Sequence, residues 1–128
     1  MMRKDVPKIT NGELKILEIL WKESPLSAGS IASILNKSIT WNRNTTYTFI
    51  KRLVDKKVVS RTEPGFMCKP LFTREEVRFS EAKSFIDRIY EGSLRVLMAN
   101  FVNSKGLTKD DAKEIRKLLD KIDKPAKK

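Results

Sequence analysis

Between Trp41 and Lys57 the chain reads WNRNTTYTFIKRLVDKK, and along it amide, hydroxyl and guanidinium groups recur on one side of a regular spacing. Arg43, Asn44, Thr45, Tyr47, Thr48 and Lys51 form that side, with no acidic residue before Asp55. These groups suit the edges of nucleic-acid bases. Arginine can hold a guanine edge with two hydrogen bonds, and asparagine does the same for adenine. Asn42, Arg52, Arg61 and Lys69 are placed to hold phosphates, which positions a protein on a duplex without reading its sequence. Arg52 has a second reading, an internal ion pair with Glu18 or Asp55. The opposite side carries Thr46, Phe49, Ile50, Leu53 and Val54 at steps of three and four, one apolar stripe of a helix. Asn42 is suited to cap that helix. An ordinary solvated amphipathic helix would share the stripe, so the case for a nucleic-acid surface rests on what surrounds it.

Charge placement is the first such observation. The 128 residues carry a formal net charge of +11. From Asn42 to Pro70, Arg43, Lys51, Arg52, Lys56, Lys57, Arg61 and Lys69 face only Asp55 and Glu63, whereas residues 73–123 hold eleven basic and ten acidic side chains. Positive charge gathers around the basic helix, which points to double-stranded DNA before any other partner and to an anionic membrane second. The chemistry of an enzyme is missing. Histidine is absent, the single cysteine Cys68 forms no metal cluster or disulfide framework, and there is no glycine-rich phosphate loop. No cofactor and no catalytic residue are expected. No apolar run approaches a membrane span, and MMRKDVPK lacks the apolar core of a signal peptide, so a cytoplasmic protein without membrane insertion is expected.

The elements that must position the basic helix follow from the same rules. Thr10 and Glu13 fit a capping box, with Ile9 and Leu14 as its staple, starting a helix to about Trp21 that buries Leu14, Leu17, Leu20 and Trp21. Ser24-Pro25 ends it. Leu26 can lend an extended residue to a small sheet, and Ser27 caps a second helix burying Ile31, Ile34 and Leu35. After a turn at residues 36–40 comes the basic helix, giving a helix-turn-helix order. Two β-prone runs, 58–63 and 66–71, flank Pro64-Gly65 and read as a hairpin. Three helices and a hairpin make a winged helix, whose wing would bring Arg61 and Lys69 to the DNA backbone.

Beyond Phe72 the pattern changes. Thr73 with Glu75 and Glu76 starts a helix carrying Val77, Phe79, Ala82, Phe85, Ile86, Ile89 and Tyr90. Gly92 breaks the chain before Leu94, Leu97, Met98, Phe101 and Val102, and Thr108 with Asp111 starts a last helix with Ile115, Leu118, Leu119 and Ile122. A unit this small seldom closes a core alone. Phe79, Phe85, Ile86, Ile89, Tyr90, Leu94, Leu97, Met98, Phe101, Leu118 and Leu119 are therefore expected to pack against a second copy, docking onto the chain's own first domain being the alternative. The expected fold is mainly α: a winged helix-turn-helix domain over residues 1–72 with a two- or three-stranded wing sheet, a three-helix dimerisation unit over 73–123, and a disordered basic tail at 124–128.

The segments TNGELKILEILWKESPLSAGSIASIL, WNRNTTYTFIKRLVDKKVV and SFIDRIYEGSLRVLMANFV, in this order from about Ile9 to Ile122, resemble the penicillinase repressor family, BlaI/MecI. The most specific pieces are Trp41 with Thr45, Thr48 and Arg52-Leu53, and the run from Gly92 to Phe101. The resemblance implies a homodimeric winged-helix repressor of palindromic operators at β-lactam resistance genes. It also implies release through a membrane-bound sensor metalloprotease that cuts an Asn-Phe bond, here Asn100-Phe101. By spacing alone, those two residues read as a solvated Asn beside an apolar-stripe Phe. Copper-responsive relatives carry a C-terminal cysteine motif, and KIDKPAKK has none. An operon serving another envelope or metal stress, or an RNA- or protein-binding winged helix, is the alternative function.

Overall fold

A computed structural model describes residues 5–123; the basic tail, residues 124–128, lies outside the described residues. The chain divides into two compact units that part between Ala82 and Lys83.

In the first unit, α1 (Asn11–Lys22) starts on the expected capping box. The Thr10 hydroxyl accepts from the Glu13 N–H at 3.2 Å, and the Glu13 carboxylate accepts from the Thr10 N–H at 2.9 Å. Its buried residues are Glu13, Ile16, Leu17 and Leu20. Leu14 and Trp21, expected inside, are half-buried at the edge, because the inward turn of Glu13 rotates the buried stripe. Gly12 brings α1 close to the Phe49 ring: a Cβ at this position would lie 2.5 Å from Cζ of Phe49, so a larger residue would require that ring to move. Strand β1 (Leu26–Ser27) leads into α2 (Ala28–Ile39), where the Ser27 hydroxyl accepts from the Ser30 N–H at 3.0 Å. Ala28, Ile31, Ala32 and Leu35 form the buried face of α2. Ile34, expected in the core, is 39 % exposed, since the pairs Ala28/Ala32 and Ile31/Leu35 centre the face away from it.

Thr40 ends α2 in the left-handed region, and Asn36 Nδ2 donates to the Trp41 carbonyl at 3.0 Å, turning the chain. The basic helix α3 (Arg43–Asp55) follows, capped by Asn42, whose Oδ1 accepts from the Thr45 N–H at 2.8 Å. Thr46, Ile50 and Leu53 are buried, and Phe49 and Val54 are half-buried beside them. Trp41 stacks on Phe49 with ring centroids 5.0 Å apart. Strands β2 (Val59–Thr62) and β3 (Met67–Pro70) form the hairpin, and the antiparallel sheet has the order β1-β3-β2. Cys68 pairs with Leu26 on one side and Arg61 on the other. Burial there pushes the Cys68 thiol up from its ordinary value.

The core joins Ile16, Leu17, Leu20, Ile31, Leu35, Ile50, Leu53, Val58, Val59, Phe72 and Val77. Each large side chain so buried contributes about 1.5–3 kcal/mol. Phe72 is fixed further by the Trp21 indole N–H, which donates to its carbonyl at 2.9 Å. Because Phe72 and Val77 belong to this core, the opening turns of α4 (Arg74–Ile89) go with the first unit. The boundary therefore falls later than the one expected after residue 72.

Among the described residues two polar side chains are buried in this unit, Thr46 on α3 and Glu13 on α1. Glu13 is fully buried, and Lys56, the C-cap of α3, reaches it with its ammonium 2.7 Å from Oε1. The same ammonium donates to the Lys8 carbonyl at 2.8 Å. Burial alone would raise the Glu13 pKa. The Lys56 ammonium and the Thr10 N–H and hydroxyl outweigh it and hold the carboxyl below its ordinary range.

The second unit begins within α4. Gly92, at φ +83°, makes the turn to α5 (Leu94–Asn103), where Ser93 caps by accepting from the Val96 N–H at 3.1 Å. In α6 (Lys109–Asp123) the Thr108 hydroxyl accepts from the Asp111 N–H at 3.0 Å. Neither α5 nor α6 buries a residue. The architecture is a mainly helical chain with an N-terminal winged helix-turn-helix on a three-stranded sheet and a helical C-terminal unit.

Candidate nucleic-acid interface

The core side of α3 fixes which way its other side faces. Arg43, Asn44, Thr48 and Lys51 are exposed, while Thr45 and Tyr47 are half-buried. Among the described residues, the side chains of Asn44 and Lys51 are engaged by no neighbour, so both are available to a ligand. The Thr48 hydroxyl donates to the Asn44 carbonyl at 2.9 Å and keeps its acceptor lone pairs. Arg43 is already oriented: Nη2 donates to the Tyr47 hydroxyl at 3.1 Å, and the guanidinium carbon lies 5.1 Å from the Tyr47 ring centroid. Asn42 spends its carbonyl oxygen on capping, which leaves its NH₂ to reach a phosphate.

The expected phosphate residues differ in freedom. Lys69 is exposed on β3. Arg52 pairs with neither Glu18 nor Asp55 among the described residues; its guanidinium carbon lies 5.3 Å from the Phe49 ring centroid. Arg61 is committed within the wing. Its Nε donates to a Glu63 carboxylate oxygen, and its guanidinium carbon sits 3.7 Å from the Phe66 ring centroid. The Arg61 guanidinium, with the Phe66 N–H donating to the same carboxylate at 3.1 Å, holds Glu63 below its ordinary pKa. Lys56, counted in the local positive charge, is turned inward to Glu13.

The expected dimerisation residues differ in exposure. Phe85, Ile89, Leu94, Phe101, Leu118 and Leu119 are exposed, Ile89, Leu94, Leu118 and Leu119 by more than half, whereas Ile86, Tyr90, Leu97 and Met98 are half-buried. Phe79 is exposed too, within the first unit. Asn100 and Phe101 fall in the last turn of α5. The Asn100 carbonyl accepts from the Ser104 N–H at 3.0 Å, the Phe101 carbonyl accepts from the Gly106 N–H at 2.7 Å, and Asn100 Oδ1 accepts from the Tyr90 hydroxyl at 3.1 Å. Phe101, read from its spacing as part of a buried stripe, is 45 % exposed within the single chain.

Sequence reasoning missed Phe66 and Glu63 as neighbours of this surface and Lys56 as a buried-carboxylate partner. The signal for Phe66 was present, an aromatic directly after the Pro-Gly turn; nothing in the spacing marks Glu13 as more than a cap. No helix among the described residues is long and apolar enough to cross a membrane, and no group of three metal-ligating side chains occurs among them.

Comparison with known proteins reads these features together. The profile of the penicillinase repressor family matches residues 9–121. The penicillinase repressor of Bacillus licheniformis is 26 % identical over 119 residues, covering 91 % of this chain and 93 % of that protein. The methicillin resistance regulatory protein MecI of Staphylococcus aureus strain N315 is 28 % identical over 116 residues, covering 89 % and 94 %. Among solved structures, the DNA binding domain of the repressor BlaI superposes with a TM-score of 0.52 at 27 % identity, covering 59 % of this chain and 93 % of that one. The monomeric form of B. licheniformis BlaI in complex with the blaP half-operator gives 0.51 with the same identity and coverage. With the winged fold, the exposed basic helix and a match running through both units, the chain belongs to the penicillinase repressor family.

Proposed function

We propose that this protein is a transcriptional repressor that binds palindromic operator DNA as a homodimer. The observation that carries the reading is the exposed side of α3, where Arg43, Asn44, Thr48 and Lys51 stand together with no acidic partner while the opposite side is locked into the core. Arg43, Asn44, Thr45, Tyr47, Thr48 and Lys51 line the major groove, and Asn42, Arg52 and, from the wing, Lys69 hold phosphates. That a relative's monomeric form occupies a half-operator supports one reading head per half-site.

The exposed apolar residues of α4, α5 and α6 support the second copy. Joining two heads makes the second contact intramolecular, which raises apparent affinity by about 10²–10⁴ without any new base contact. Family membership supports β-lactam resistance genes as targets and a membrane-bound sensor metalloprotease as the releasing partner.

Cleavage at Asn100-Phe101 fits the geometry as a switch. The carbonyl of that bond, on Asn100, and the Phe101 carbonyl after it are both engaged in the end of α5, so a protease gains access only when the turn opens locally. The cut would detach Phe101, Val102 and all of α6 from the dimerising surface, and operator occupancy would fall with the reading face intact. Footprinting on the DNA upstream of the protein's own gene, with full chain and with chain ending at Asn100, tests this. Protection of a two-fold site by the full chain alone supports the reading. Equal protection by the shortened chain removes the proteolytic switch, and no protection with either removes the repressor.

A further inference from the structure

A continuous set of contacts runs from the wing to the recognition helix. Glu63 accepts from the Arg61 guanidinium and from the Phe66 N–H, closing the hairpin turn on itself. Phe66 sits at φ +51°, a left-handed conformation at a non-glycine residue, and its carbonyl is tied to the start of α2 by the Ala28 N–H at 2.9 Å. Its ring carries the Arg61 guanidinium at 3.7 Å and meets the Tyr47 ring edge-on, centroids 5.9 Å apart and planes at 83°. Tyr47 in turn accepts from Arg43 Nη2. Gly29 borders the same place: a Cβ there would lie 3.5 Å from Arg43 Nη2 and 3.8 Å from the Tyr47 hydroxyl, at ordinary contact distance.

We infer that Tyr47 and Phe66 are positioning residues, through which the hairpin turn sets the base specificity of Arg43. An exposed arginine samples many rotamers, and holding it before binding reduces the ordering cost of a bidentate contact. Here the hydroxyl of Tyr47 supplies the hold and the ring of Phe66 supplies the wall. Tyr47, half-buried and already accepting from Arg43, contributes to this specificity by holding Arg43. Arg61, folded over Phe66 by Glu63, braces the turn and is withheld from the phosphates that Lys69 is free to meet. The turn Glu63-Pro64-Gly65-Phe66 is thereby a specificity element although none of its side chains enters the groove. This rests on the DNA-reading function proposed above.

The test uses the full chain. A randomised duplex library is selected with the wild-type protein, and the best site is then assayed with every single-base substitution. Arg43→Ala identifies the base pair that Arg43 reads. Tyr47→Phe removes one hydroxyl and keeps the ring, and is expected to lose discrimination at that same base pair roughly tenfold, the worth of a hydrogen bond to a charged group. The slope of affinity against salt and the melting temperature should not move. In the doubly substituted chain the two losses should not add. Phe66→Leu should give a smaller loss at the same position, and Glu63→Gln should steepen the salt slope by releasing Arg61. Retained discrimination in Tyr47→Phe, or a loss at a different base pair, overturns the inference while leaving the repressor reading in place. A library from which the wild type selects no site overturns both.

Discussion

The two units of this chain use the same materials to different ends. In the first, stripes of apolar residues on α1, α2 and α3 meet one another and the small sheet, and Ile16, Leu17, Ile31, Ile50 and Leu53 leave no more than traces of surface. In the second, the stripes on α5 and α6 are as regular, yet Leu94, Val102, Leu118, Leu119 and Ile122 are each more than half exposed. Regular spacing makes a helix with a sided surface; it does not say whether the partner of that side is in the same molecule. One closed unit and one open unit in a single chain are what the proposed dimeric repressor calls for, a reading head complete alone and an affinity that comes from pairing.

The sharpest way to break that contrast is to charge the open side. Leu118→Asp with Leu119→Asp should cut apparent affinity for a palindromic duplex by about 10²–10⁴, while a single half-site is bound as before in a gel shift. Equal weakening on both duplexes would mean the residues support the fold of the head instead. Next comes a matched pair of truncations. Leu53→Ala should cost about 2–5 kcal/mol in denaturant unfolding of the N-terminal unit, and Leu119→Ala should leave that transition where it is.

Lys56→Met sharpens the same contrast through charge. It strands a buried carboxylate, for which about 3–5 kcal/mol is the usual cost, with the lower end expected because the Lys56 side chain is 31 % exposed. The pH dependence has a definite sign. The folded Glu13 carboxyl is held below its ordinary 4.5, so its contribution is complete above that pH and is lost as pH falls through the lower folded value. Wild type should therefore lose melting temperature on acidification where Glu13→Gln loses less. The smallest effects lie on the reading surface. Arg43→Ala should remove about 1–3 kcal/mol of discrimination at one base pair. Lys69→Ala should weaken all sequences alike and lower the salt slope by about one.

The sequence made most of the scaffold legible because its signals are local. Thr10 with Glu13, Ser27, Asn42, Thr73 and Thr108 each mark a helix start that the structure contains, and Pro64-Gly65 marks the hairpin. What escaped depends on contacts distant in sequence. Ile34 satisfies the spacing of α2, but Ala28 and Ala32 take the core side because small residues fit where helices approach closely. Val77 belongs to the N-terminal core although its own helix continues past Ala82, so the spacing gave a boundary too early. The exposed polar side of α3 was visible in the spacing, whereas the engagement of Tyr47 by Phe66 across nineteen positions was not. Glu13 shows the same limit: a capping residue by spacing, and a buried ion-pair partner only once Lys56 is brought to it.

The central claim, that the open C-terminal unit is closed by a second copy, is tested most directly by sedimentation of the full chain across a range of concentrations, beside the Leu118→Asp, Leu119→Asp chain. The account predicts a dimer that dissociates on dilution for the wild type, and a monomer with an unchanged N-terminal melting transition for the variant. A wild-type chain that stays monomeric at every concentration, with or without a palindromic duplex, would contradict it.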